Sequence, residues 1–219
     1  MCGSFALLVP LEKILQSFQI NDTNLNESDF TPREKIRPTE RVPVITADQS
    51  EDGDTLNRKL TNQKWGFMPE FTSRPLINAR GETVDEKSTF YSAFLNRRCL
   101  IPASSFYEWK EVREGKSKQK YTIKVEDKKI ISFAGLYSTY QEGKKEVNCF
   151  VIITRPAPSS LQPVHDRMPV ILNKAQENVW LQTDSAPEEL KNILLDSRNP
   201  ELNIKPPPDK NEQLSLFKL

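Results

Sequence analysis

Residues 98–111, Arg98-Cys99-Leu100-Ile101-Pro102-Ala103-Ser104-Ser105-Phe106-Tyr107-Glu108-Trp109-Lys110-Glu111, hold two strand signals almost back to back. Arg98–Pro102 is a short apolar run, and Ser105–Glu111 is rich in aromatic residues set among polar ones. Further strand signals follow at Tyr121–Val125, Lys129–Phe133 and Asn148–Thr154, with Asp127-Lys128 and Glu142-Gly143 as hairpin turns. Upstream, a short first strand precedes Leu11, Ile14, Leu15 and Phe18, whose spacing predicts an amphipathic helix. Asn21 to Pro38 reads as a loop, Val42 to Ala47 as a strand and Glu51–Asp54 as a turn. Trp65 ends a strand, and helices are expected over Val84–Asn96, Lys174–Leu181 and Ala186–Leu195. Many short strands with few helices predict an α+β fold: one domain, residues 1–205, on a curved, mostly antiparallel, barrel-like sheet with peripheral helices. Residues 206–219 read as an extended tail, opened by Pro206-Pro207-Pro208.

The 219 residues carry 31 Lys+Arg against 30 Asp+Glu, a formal net charge of +1. Bulk attraction to nucleic acid is therefore excluded, and any DNA site must be a local basic cleft. No apolar run approaches the roughly 20 residues of a membrane span, and no secretory leader is recognisable. Three cysteines without paired spacing predict a reducing cytoplasm, with Cys99 and Cys149 as buried thiols in apolar runs. A single histidine, His165, rules out two-histidine metal motifs, so no metal and no cofactor is expected.

Cys2 directly follows Met1. If Met1 is removed, a thiol and a free α-amine sit on neighbouring carbons, and the pair condenses with an aldehyde as no internal cysteine does. The amine forms a Schiff base and the sulfur closes a five-membered thiazolidine. Unassisted, the two groups titrate near ~8 and ~8.5. Ring closure is intramolecular, where effective molarities reach roughly 10⁵ M.

Five segments accompany this cysteine: Met1-Cys2-Gly3, Trp65-Gly66-Phe67-Met68-Pro69, Asn78-Ala79-Arg80-Gly81-Glu82-Thr83, Phe106-Tyr107-Glu108-Trp109-Lys110 and His165-Asp166-Arg167-Met168-Pro169. In this order and spacing the chain resembles the SRAP family (SOS-response-associated peptidases, or abasic-site processing proteins) over roughly residues 1–180. The resemblance implies a DNA-damage function. The N-terminal cysteine, exposed in a cleft for single-stranded DNA, captures the aldehyde of an abasic site as a covalent thiazolidine crosslink. It also implies that Cys2 is the nucleophile, that Asn78, Glu108 and His165 surround it, and that Trp65, Phe71, Arg80 and Arg167 serve DNA binding, the arginines as phosphate or site-organising contacts.

The residue types suit that work. A carboxyl such as Glu108 can shuttle the proton that opens the closed sugar, and an imidazole titrates in the range needed to expel water. Asn78 can orient the amine or a developing hydroxyl, and Arg80 offers a fork suited to phosphate. Each also has a plain structural use: Trp65 and Trp109 as core, Glu108 as a strand's solvent face, and His165 as a hydrogen-bonded loop residue. The chain departs from the family's usual arginine two residues after the cysteine, having Ser4. It reads Ile36-Arg37-Pro38 where the family has Tyr-Asn ahead of a loop proline, and its aromatic wedge is reduced to Phe71.

Within the tail, Gln213-Leu214-Ser215-Leu216-Phe217 resembles the peptide by which bacterial repair factors dock on the β sliding clamp. Gln213 and the Leu214, Leu216 and Phe217 anchors would enter an apolar cleft. The leading expectation is a monomeric, cytoplasmic, nucleoid-associated enzyme of crosslinking or lyase type that captures abasic sites, with reversal through Glu108 and His165 running the chemistry backwards. The alternatives are a thiol autopeptidase using Cys2 and His165, and a non-catalytic DNA- or clamp-binding adaptor.

Overall fold

The computed structural model describes residues 2–49, 55–113, 117–196 and 198–207. The chain runs β1 (Phe5–Leu7), α1 (Leu11–Phe18), β2 (Asp22–Thr23), β3 (Arg33–Ile36), β4 (Arg41–Gln49), β5 (Leu56–Trp65), β6 (Asn78–Arg80), α2 (Ser88–Asn96) and β7 (Arg98–Ala103). It continues with β8 (Ser105–Arg113), β9 (Ser117–Val125), β10 (Ile131–Glu142), β11 (Lys145–Pro156), β12 (Arg167–Pro169) and β13 (Ile171–Leu172). α3 (Lys174–Leu181), α4 (Pro187–Leu195) and β14 (Leu202–Lys205) complete it.

Strands β5, β4, β7, β10 and β11 pair antiparallel in that order, and a parallel β11–β5 pairing, Phe150 opposite Trp65, closes them into a barrel. A five-stranded sheet, in the order β14-β9-β8-β1-β3, packs on this barrel. The aromatic seam between them is Phe5 against Trp65 (5.3 Å) and Phe133 (5.8 Å), and Phe106 against Phe133 (6.1 Å). All four rings are wholly buried, each contributing about 2–3 kcal/mol of apolar burial. Gly135 permits the closest approach inside the barrel, since a methyl there would collide with Ile101 and the Val151 carbonyl.

The α+β expectation of a curved, mostly antiparallel sheet with few helices describes this architecture. Differences lie at the polar segments. The stretch expected to be a loop, Asn21 to Pro38, contains β2 and β3. Of β3 only Ile36 is buried, so its polar composition concealed an edge strand. β10 and β11 run well beyond the apolar stretches that announced them, since their hairpin ends at Glu142 and Lys145 are solvated. α2 begins at Ser88 rather than Val84, because turns occupy the preceding residues, although Val84 itself is buried. The expected turn at Glu51–Asp54 and the peptide Gln213–Phe217 lie outside the described residues.

Candidate active site

Four segments distant in sequence meet at the start of β1. Ser4 is fixed twice: its hydroxyl donates to the Ile36 carbonyl (2.9 Å) and its carbonyl accepts from the Tyr107 amide (3.0 Å). That ties the chain ahead of β1 to β3 on one side and β8 on the other. Cys2 is wholly buried in the chain that still carries Met1, unlike the exposed cysteine that the resemblance implies. Its carbonyl accepts a hydrogen bond from Asn78 Nδ2 at 3.0 Å. A carbonyl only accepts, so this bond assigns the Asn78 amide orientation. Asn78 Oδ1 is then buried with no hydrogen-bond partner among the described residues.

Asn78 reaches this point because β6 lies parallel to β11, with Asn78 opposite Ile152. The approach to β6 is set by Trp65 and Gly66. The Trp65 indole donates to the Ile77 carbonyl (2.9 Å) and stacks on Phe150 at 6.2 Å. Gly66 has φ +127, and a Cβ there would stand 2.7 Å from the Pro75 side chain, so only glycine fits. Trp65 has no exposed surface. This corrects its expected DNA contact: it supports the backbone leading to Asn78. Phe71 is 74% exposed in the loop beyond, and Arg80 is exposed at the end of β6.

Glu108 comes from β8, pointing to the same side as Phe106, and is 2% exposed. Burial raises its pKa to about 7, with the nearby Asp166 charge acting in the same direction. It therefore exchanges its proton near neutrality, which an ordinary carboxyl does not. Burial also pushes the Cys2 thiol well above its usual range, and Glu108 adds to the effect.

His165 is delivered by a turn between β11 and β12, where its amide donates to the Leu161 carbonyl (3.1 Å). Nδ1 accepts the Arg167 backbone N–H at 2.9 Å, so the proton of the neutral ring sits on Nε2. Nε2 lies 3.7 Å from Glu108 Oε2. Burial holds the imidazole below its usual pKa, with Asp166, 3.0 Å from Nδ1, acting in the opposite direction. Cys2, Asn78, Glu108 and His165 thus form one cluster.

Arg167, expected at DNA, is buried instead and its guanidinium is occupied. It forms a two-pronged pair with Glu82, with Nη2 at 2.9 Å from Oε2, and Nη2 also donates to the Thr154 carbonyl (2.8 Å) and hydroxyl (3.2 Å). Of its two expected uses, organising the site is the one this geometry serves. Lys191 of α4 adds a bond to the Glu82 carbonyl at 2.8 Å and pairs with Asp85. Glu82 and Thr154 went unassigned in the sequence. The available signals were a carboxylate within the Asn78–Thr83 segment and a polar residue ending an apolar strand. Among the described residues no group of three His, Cys, Asp or Glu side chains could hold a metal ion.

With this geometry in place, similarity to known proteins is informative. The chain is 35% identical over 202 residues to the abasic site processing protein YoqW of Bacillus subtilis, covering 89% of this chain and 86% of that one. It is 32% identical over 196 residues to the abasic site processing protein YedK of Escherichia coli, covering 88% and 85%. A crystal structure of a Bacteroides thetaiotaomicron protein shares the fold with a TM-score of 0.78 at 23% identity, covering 97% of this chain and 94% of that one. The profile of the family described as SOS response associated peptidase (SRAP) matches residues 1–209. The chain belongs to the SRAP family.

Proposed function

We propose that this protein senses abasic sites in single-stranded DNA and captures them covalently through Cys2 once Met1 is removed. The observation that carries this reading is the bond from Asn78 to the Cys2 carbonyl, beside a buried carboxyl that titrates near neutrality. The names of the relatives, abasic site processing proteins, point to the same substrate.

Protonated Glu108 donates to the sugar ring oxygen as its bond to C1 breaks, and the C1 hydroxyl releases its proton to solvent, opening the hemiacetal to the aldehyde. The Cys2 amine attacks the aldehyde carbon, and Asn78 Oδ1 is an acceptor able to orient an N–H of that amine. Loss of water gives the imine, with His165 and Glu108 handling the proton. The thiol then adds to the imine carbon and its proton passes to nitrogen, closing the thiazolidine. The same groups running in reverse would release the adduct.

The test is incubation of Met-processed protein with an abasic oligonucleotide, followed by a denaturing gel. A stable adduct is expected, lost in Cys2→Ala; an undiminished adduct in that variant overturns the assignment. A second component is clamp docking through Gln213, Leu214, Leu216 and Phe217, supported by the tail's sequence pattern. A peptide of residues 206–219 should bind a bacterial β clamp at about micromolar to tens-of-micromolar affinity and lose binding with Phe217→Ala. Absence of binding in that range ends the idea.

A further inference from the structure

The five-stranded sheet has two dissimilar faces. Phe5, Ile36, Phe106 and Ile123 occupy one row of it and are buried. Alternation sends their neighbours to the opposite face. There Tyr107 lies opposite Thr122, which in turn lies opposite Lys205. The Tyr107 hydroxyl reaches across β1 to the Glu34 carbonyl at 2.7 Å. Lys120 stands 3.6 Å over the Tyr107 ring, and Lys124 is opposite Asn203. Lys35 and Arg37 flank buried Ile36.

Lys35, Arg37, Lys124 and Lys205 are exposed and Lys120 is half-buried. Among the described residues, none of the five forms an ion pair within 4 Å, whereas Lys118 is matched by Glu111 at 3.6 Å; Glu126, two residues beyond Lys124, is held by Asn203 at 2.8 Å. In a chain of formal net charge +1, this is a local excess rather than a consequence of composition. Burial, and after it the charge of Lys35, hold the Lys120 ammonium below its usual range, with Glu34 acting the other way by less. Two ammoniums therefore crowd one another, a condition that a bound anion relieves.

We propose that this outer face is a phosphate track for the single-stranded DNA that flanks the lesion, an inference resting on the DNA reading above. The face spans five strands, about 19 Å at the usual spacing, enough to engage several successive phosphates. It is joined to the site through β8: Tyr107 and Trp109 flank Glu108 in sequence and face the other way. Packing against Tyr107 fixes Lys120, so its ammonium is presented with little freedom left to lose.

The test compares the full-length chain with a Lys35→Gln/Lys124→Gln/Lys205→Gln variant, which leaves the Lys120–Tyr107 packing intact. Binding of a thymidine oligomer of about 20 nucleotides should weaken by roughly tenfold near 0.1 M salt, and the slope of log K against log salt should fall by about 2. Arg37→Gln should lower the slope by about a further 0.7. Adduct formation at saturating concentrations of an abasic oligomer should be unchanged, because none of the three lysines belongs to the cluster of Cys2, Asn78, Glu108 and His165. An unaltered salt slope in the triple variant overturns the proposal. Failure of both chains to form adducts would count against the crosslinking reading alone, since the slopes are measured on undamaged strands.

Discussion

Two carboxylates on either side of the His165 turn meet opposite fates. Glu82 faces the Arg167 guanidinium, whose hydrogen bond draws its pKa below the ordinary range. Glu108, buried beside His165, is raised to about 7. One is held ionised and fixes structure; the other is left able to gain and lose a proton. The two are linked, because the Arg167 amide that orients the His165 ring belongs to the residue that Glu82 clamps. A permanent ion pair here orients a titrating pair.

The sharpest way to break the contrast is Glu108→Gln, which keeps the shape and removes the titration. Adduct formation should slow by about 100-fold or more, as expected for loss of a general acid–base group. A gel time course at neutral pH reads this, and an unchanged rate would remove Glu108 from the chemistry. Next comes Glu82→Ala, which leaves Arg167 buried and unpaired. Thermal or urea unfolding should show a loss of about 2–3 kcal/mol. Adduct formation should fall too, with a changed pH profile, as His165 loses its orientation; a stability loss with an unchanged profile would separate the two carboxylates.

A subtler difference lies in pH. Glu108 binds its proton more tightly folded than unfolded, so its contribution to stability is present at acid pH and is lost as pH rises from 4.5 towards about 7. Glu82, with a depressed value, contributes above its ordinary pKa of 4.5 and loses that contribution as pH falls through its lower folded value. Wild type minus Glu108→Gln, measured by urea unfolding across this range, should show a negative slope up to about pH 7 and flatten above it. A flat difference throughout would place Glu108 in solvent-like surroundings. Trp65→Phe should have the smallest effect: about 1 kcal/mol from the lost indole bond to Ile77, with a several-fold loss of adduct rate through Asn78.

Much of this was readable in the sequence where chemistry and periodicity coincide. Cys2 stands out by its position, the family resemblance implies Asn78, Glu108 and His165 around it, and the fold brings the four together. Arg167 and Trp65 each admit two uses for a common reason: residue type reports what a side chain can touch, not which surface it ends on. A tryptophan suits base stacking and core packing equally, and only β11 pairing with β5 and β6 puts it inside. An arginine suits phosphate and carboxylate equally, and Glu82 lies 85 residues away in sequence. β3 and β14 were missed because edge strands need few apolar residues.

The seam where Phe150 meets Trp65 has a consequence for how activity is gained and lost. It joins strands remote along the chain, so its loop-closure cost is met late in folding. The strand that seals it also sets the register of Asn78. Assembly of the cluster around Cys2 and Asn78 and completion of the cylinder are therefore a single cooperative event. A molecule with that seam parted would retain much of its secondary structure while being chemically inert, and loss of function on heating should precede loss of helix and sheet.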